Sequence, residues 1–167
     1  TAYNGTTIEV QNTDAEGRLI LADALAYLVQ HHQPMAIVNI ATLTGAIIAA
    51  LGHYASGVMG NDEPLIEALI AAGKQTHERV WPLPLWDDYK KDIESTIADI
   101  KNIGLSGCSG SIAAGMFFKE FIGKTPWCHL DIAGSAWGDT GQPYNTSHQA
   151  SGVGVRLLYQ LLQNQLD

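Results

Sequence analysis

The chain has 167 residues, of which 46% are hydrophobic and only 16% charged, against roughly 25% charged residues in ordinary globular domains. This composition excludes a disordered chain, and the length fits one domain. The formal charge of −8, with no basic cluster larger than Lys90-Lys91, excludes a basic nucleic-acid-binding face.

The first half of the chain alternates between predicted strands and helices. Residues 7–10 form a short strand, 18–31 a helix, 36–41 an apolar and β-branched strand, 46–51 a small-residue helix and 56–59 a strand. Asn61 or Asp62 then caps a helix that has Pro64 in its first turn. These elements favour an α/β fold with parallel strand pairs.

The second half continues the same alternation. Residues 81–86 contain two prolines and are predicted as an extended surface crossing, and residues 97–103 as a strand or an irregular run. A Gly/Ser loop at 104–110 precedes a helix at 111–121, a buried strand at 127–132 and a closing helix at 152–163. So few strong strands predict a sheet that is completed by residues outside this chain.

No segment favours a membrane or an oxidising compartment. The most apolar run, residues 35–51, is interrupted by polar residues and is shorter than a typical span of about 20 residues. The two cysteines are not paired in a CxxC motif, so we expect a cytoplasmic protein without membrane or nucleic-acid partners.

One polar motif combines the residue types of a metal site. Residues 12–18 read NTDAEGR, which places Asp14 and Glu16 in a loop between a strand and a helix, where open α/β sheets build their sites. Carboxylate oxygens there suit Mn²⁺, Mg²⁺ or Zn²⁺. A structural interpretation is that Thr13 and Glu16 form a capping box and that Arg18 is a solvated surface charge. Spacing alone favours this structural interpretation.

The wider sequence resembles the leucyl aminopeptidase family, the two-metal cytosolic aminopeptidases of peptidase family M17. NTDAEGR continues as LILAD, and three further stretches recur in that family in the same order: ATLTGA at 41–46, PLPL at 82–85 and HLDIAG at 129–134. The resemblance covers essentially the whole chain. It implies an α/β three-layer sandwich, with a mostly parallel mixed sheet between helices.

The resemblance also implies roles for the motif residues. Asp14 would bind one metal ion through its carboxylate and backbone carbonyl, and Glu16 would bridge two ions, either Mn²⁺ or Zn²⁺. Arg18 would be the catalytic residue, holding a bicarbonate ion that accepts a proton from the attacking water.

Substrate contacts are implied for two further stretches. Thr42, Leu43 and Gly45 would offer backbone groups to the peptide, and Ala133 and Ala136 would line the pocket for its first side chain. Without the resemblance, these residues read as strand termination and close packing. His53, His129 and His148 are interpreted as structural or surface residues, because none has another histidine at metal-binding spacing.

By this resemblance, residues 1–167 are the C-terminal part of a metallo-aminopeptidase catalytic domain. The family carries two metal-binding aspartates, a metal-binding lysine and a catalytic lysine ahead of this stretch. We therefore expect an enzyme that removes leucine and other apolar N-terminal residues from peptides by a two-metal-activated water. We also expect a homohexamer that includes the missing N-terminal part, and near inactivity of the chain alone. The alternative is a non-catalytic assembly or binding module.

Overall fold

The computed structural model describes residues 1–105, 107–138, 145 and 149–166. The strands in these ranges are β1 (Ile8–Glu9), β2 (Ile37–Ala41), β3 (Ser56–Gly60), β4 (Val80–Pro82), β5 (Ile100–Lys101) and β6 (Trp127–Asp131). The helices are α1 (Gly17–His32), α2 (Gly45–Leu51), α3 (Glu63–Thr76), α4 (Gly110–Ile122) and α5 (Val155–Leu166), with a 3₁₀ helix at Asp87–Ile93.

The main sheet is mixed and has the order β2-β6-β3-β4. β2 is parallel to β6 and β3 is parallel to β4, whereas β6 and β3 run antiparallel. A separate parallel pair joins β1 to β5. The predicted α/β class with a mostly parallel mixed sheet is therefore confirmed.

Two hydrophobic clusters cover the two faces of the sheet. Trp127 of β6 packs in one cluster with Phe117 and Phe118 of α4, whereas Cys128 and Leu130 pack in the other, which includes residues of α3 and α5. Alternate residues of β6 thus point into different cores, and the strand is buried throughout, as predicted for residues 127–132. Helices on both faces make the three layers that the resemblance implies.

Local chemistry explains the start of α3 and the position of β4. Asp62 caps α3, as predicted, by accepting a hydrogen bond of 2.9 Å from the backbone N–H of Leu65. Pro82 lies in β4, at the edge of the sheet, where its missing N–H removes no central ladder bond. None of the helices in the described ranges combines the length and hydropathy that a transmembrane span requires.

The closing helix begins later than predicted. The expected range was 152–163, but α5 begins at Val155, because Gly152 and Gly154 have φ angles of 69° and 96°. These values lie outside the right-handed helical region and are easily adopted only by glycine.

Candidate active site

The loop at residues 10–16, which we term the first loop, carries Asp14 and Glu16 and is held by Asn102. Asn102 directly follows β5, the strand parallel to β1, and its side chain is fully buried. Its Oδ1 accepts hydrogen bonds from the backbone N–H groups of Gln11 (2.9 Å) and Asn12 (3.3 Å), and its Nδ2 donates to the carbonyl of Asn12 (2.7 Å). One amide therefore satisfies both donors and acceptors of the first loop.

The first loop presents its two carboxylates to solvent. Asp14 and Glu16 are exposed, and within the described ranges neither carboxylate forms a hydrogen bond or an ion pair. Glu16 precedes α1 with helical dihedrals and without a side-chain cap, so the predicted capping box with Thr13 is wrong. Both carboxylate groups are therefore free to bind a cation.

Arg18 is buried, which contradicts its interpretation as a solvated surface charge. Only 6% of the residue is exposed, and its Nε and Nη1 have no hydrogen-bond acceptor among the described residues. Burial lowers the pKa of Arg18, while the negative charge of Asp131 opposes that shift. A buried guanidinium with free N–H groups fits an oxyanion ligand.

The loop at residues 42–44, which we term the second loop, joins β2 to α2 and is bound by Asp131. The Asp131 carboxylate, at the end of β6, accepts hydrogen bonds from the Thr44 hydroxyl (2.6 Å) and the Leu43 N–H (3.1 Å). Burial raises the pKa of Asp131, and these hydrogen bonds act against that shift. The Thr44 hydroxyl also accepts a bond from the N–H of Ile47 and so caps α2.

An open groove of about 1010 Å³ lies between the two loops. Four of the predicted site residues line it: Asp14, Arg18, Leu43 and Gly45. The opposite wall is formed by residues of the Gly/Ser loop and the start of α4, including Gly104, Cys108 and Ser111. The structure thus brings a free carboxylate and a buried cation together beside exposed backbone.

Glu16, Thr42, Ala133 and Ala136 are not among the described residues that line this groove. Thr42 is exposed directly after β2, and Ala133 is partly buried after β6, so both lie at the ends of paired strands. Ala136 is partly buried, with its N–H bonded to the carbonyl of Ile132. The predicted roles of these four residues stay predictions.

The histidines have structural surroundings where they are described. His129 is fully buried. The Oδ1 of Asn39 accepts a hydrogen bond from Trp127 Nε1, so the Nδ2 of Asn39 donates to His129 Nδ1. Burial lowers the pKa of His129 to about 3, with a smaller contribution from Arg18. His53 bonds the carbonyl of Gly134 at 2.8 Å, and His148 lies outside the described residues.

The donor set of the described residues is incomplete for a metal site. No three His, Cys, Asp or Glu side chains of these residues come together as a cation site. Asp14 and Glu16 supply the oxygen ligands that hard or borderline cations prefer, but zinc sites usually have three or four protein ligands. The two carboxylates therefore fit part of a metal centre.

Sequence reasoning missed Asn102, Thr44 and Asp131. Asp131 lies inside the HLDIAG stretch and Thr44 inside ATLTGA, but neither was assigned a role. For Asp131, the available signal was the type of residue, because an ionisable side chain at the end of a strand that is predicted to be buried needs compensating donors.

The comparison with protein families identifies the family of the chain. Residues 1–159 match the model of the cytosol aminopeptidase family, catalytic domain. The chain belongs to this family. Membership confirms the resemblance drawn from the sequence motifs.

Individual cytosol aminopeptidase relatives agree with the family match. The chain is 54% identical over 162 residues to a protein of Geobacter sp. (strain M21) and 56% identical over 163 residues to one of Geotalea uraniireducens (strain Rf4), covering 97% of this chain and 32% of each relative. A Brucella melitensis protein is 51% identical over 167 residues, which is 100% of this chain and 34% of that protein. All three are named "Probable cytosol aminopeptidase". The chain thus spans about a third of their length and matches their C-terminal part.

Proposed function

We propose that the complete protein is a metal-dependent aminopeptidase that hydrolyses the N-terminal bond of peptides and prefers leucine and other apolar first residues. The observation that carries this proposal is Arg18, a buried guanidinium whose Nε and Nη1 have no acceptor among the described residues, and which lines the same groove as Asp14. The names of the relatives, "Probable cytosol aminopeptidase", support an aminopeptidase activity.

The chain's own residues have separable tasks in this reaction. Asp14 and Glu16 would hold two divalent cations, Mn²⁺ or Zn²⁺, together with ligands from outside this chain. Such cations act as Lewis acids and lower the pKa of bound water. Arg18 would bind an oxyanion such as bicarbonate, which can accept a proton, because a guanidinium cannot act as a base itself. Thr42, Leu43 and Gly45 would align the peptide backbone, with Ala133 and Ala136 beside its first side chain.

The proposed assembly is a cytoplasmic homohexamer in which this segment is covered by other parts of the protein. Two observations support burial of its surface: Met35 is 94% exposed and Ile97 81% exposed, and β2 has an open edge within the described sheet. Open strand edges and large exposed apolar side chains are usually covered in native proteins. Light scattering at micromolar concentration should give a hexamer, and a stable monomer would contradict this assembly.

The activity is tested with the complete protein after chelation and reloading with Mn²⁺ or Zn²⁺. Leucine p-nitroanilide should be cleaved, whereas its N-acetylated form should not, because an aminopeptidase needs the free amine. Glutamate p-nitroanilide should react more slowly than the leucine compound. A folded, metal-loaded protein without turnover would instead indicate the non-catalytic assembly or binding module.

The 167-residue chain by itself should be nearly inactive in the same assay. It supplies Asp14 and Glu16 but no third ligand among its described residues. If the isolated chain turned over substrate as fast as the complete protein, that would contradict a metal centre that needs ligands from outside this chain.

A further inference from the structure

Asp131 is a fully buried carboxylate whose hydrogen bonds go mainly to the second loop. Besides the bonds from the Thr44 hydroxyl and the Leu43 N–H, it accepts from the N–H groups of Thr44 (3.4 Å) and Ala133 (3.3 Å). A buried charge without partners is strongly unfavourable, so this set of donors compensates the burial of Asp131. The same bonds restrain the backbone at the start of α2.

Thr44 extends this restraint to the opposite wall of the groove. Its hydroxyl lies 2.7 Å from the hydroxyl of Ser111, which belongs to the first turn of α4. Thr44 and Ser111 are themselves buried, and both line the groove. Asp131, Thr44 and Ser111 therefore form a continuous link from the sheet through the second loop to the opposite wall.

The charge of Asp131 also acts on Arg18. No hydrogen bond joins the two residues in the described part of the chain, but Asp131 is the charged group that favours the protonated form of Arg18. An amide at position 131 would remove this charge and would replace one of the two acceptor oxygens by an NH₂ group, which cannot accept a hydrogen bond from the second loop. A hydrophobic residue at position 131 would remove both the charge and all the hydrogen bonds to the second loop.

We propose that Asp131 is a positioning residue for the substrate, because its carboxylate fixes the Leu43–Gly45 backbone against the groove through Thr44. This inference rests on the proposed aminopeptidase function and gives the HLDIAG stretch a task in substrate binding. Asp131 would act without touching the substrate. Its effect passes through the second loop, so it should act on KM more than on metal binding.

The test uses four variants of the complete, metal-loaded protein with leucine p-nitroanilide. Asp131→Asn and Thr44→Val should each raise KM roughly tenfold, the scale of one lost charge-assisted hydrogen bond, and should change kcat less than KM. Thr44→Ser retains the hydroxyl and should restore the KM of the unmodified protein. Metal content should stay unchanged in all of them, because Asn102 holds the first loop independently.

Ser56→Ala is the matched control. The hydroxyl of Ser56 makes a buried contact of 2.7 Å with that of Ser135, and neither serine lines the groove. This variant should lower the melting temperature without raising KM. If Asp131→Asn fails to fold, Thr44→Val still tests the proposal, because this variant keeps the carboxylate of Asp131.

Amide hydrogen exchange over residues 42–46 gives a second readout, and it should be faster in Asp131→Asn and Thr44→Val than in Ser56→Ala. Lower melting temperatures with KM within twofold of the control would overturn the positioning role and leave the proposed function intact. An inactive unmodified protein, folded and metal-loaded, would overturn both.

Discussion

The first and second loops of the groove each follow a strand, and each is bound by a side chain from the neighbouring parallel strand. Asn102 follows β5 and binds the first loop, whereas Asp131 ends β6 and binds the second. The anchor of the first loop is a neutral amide that both accepts and donates hydrogen bonds. The anchor of the second loop is a carboxylate that only accepts them.

The difference between these anchors follows from what each loop carries. The first loop bears the free carboxylates of Asp14 and Glu16, so a further negative charge beneath it would be unfavourable until cations are bound. The second loop bears no charge and presents N–H groups and a hydroxyl, with Arg18 nearby to balance Asp131. The neutral anchor therefore holds the loop that carries negative charge, and the negatively charged anchor holds the loop that presents hydrogen-bond donors.

The largest expected effect comes from Arg18, which lies between the two loops. Arg18→Ala should leave the metal ions bound and lower kcat by roughly 100-fold or more, the scale of removing one electrostatic stabiliser. Metal analysis and kcat on the same preparation provide the measurement. Full activity of a folded Arg18→Ala protein would remove Arg18 from the reaction.

Glu16→Gln tests whether the first loop is a metal-binding loop. Loss of a ligand charge should lower metal affinity roughly tenfold or more, and activity should fall with metal content. Unfolding of the metal-free protein should change little, because the Glu16 side chain does not cap α1. Unchanged metal content together with unchanged kcat would separate Glu16 from the metal centre.

Asn102→Asp exchanges the neutral anchor for a charged one. It should lower the free energy of unfolding by about 1–3 kcal/mol, because the bond donated to the Asn12 carbonyl is lost in a buried position. Asn61→Asp is the matched control, since Asn61 likewise accepts from a backbone N–H (Trp127, 2.8 Å) and donates to a carbonyl (Thr125, 2.9 Å), but at an exposed position outside the groove. Weaker metal binding should appear only in Asn102→Asp. An equal loss of metal affinity in both variants would contradict a specific role of Asn102 as the anchor of the first loop.

The effect that develops gradually with pH concerns His129, two residues before the anchor of the second loop. Because its folded pKa of about 3 lies below the value of 6.5 for an unperturbed histidine, the unfolded state binds more protons between these values. Its contribution to stability is complete above pH 6.5 and declines as the pH falls towards 3, by up to ~1.4 kcal/mol per pH unit. Urea unfolding at several pH values should show this slope, and His129→Gln should reduce it. An unchanged slope would mean that other groups carry the acid sensitivity.

Several features of the fold follow directly from local sequence. The buried strand β6 and the Asp62 cap of α3 were predicted correctly, because burial pattern and capping depend on neighbouring residues. The capping box at Thr13 and Glu16 was predicted by the same logic and is absent. There, contacts of the first loop with Asn102, about 90 residues away, determine the backbone path.

By itself, the sequence determined the α/β class, most element positions and, through its motifs, the family and the residues to consider at the site. Only the tertiary structure revealed that Arg18 is buried, with no acceptor for its Nε and Nη1 among the described residues, and that Asn102 and Asp131 anchor the two site loops. The physical reason is distance along the chain. Periodicity and capping act over a few residues, whereas the desolvation of Arg18 and the pairing of Asp131 with Thr44 arise only when strands far apart in sequence lie side by side.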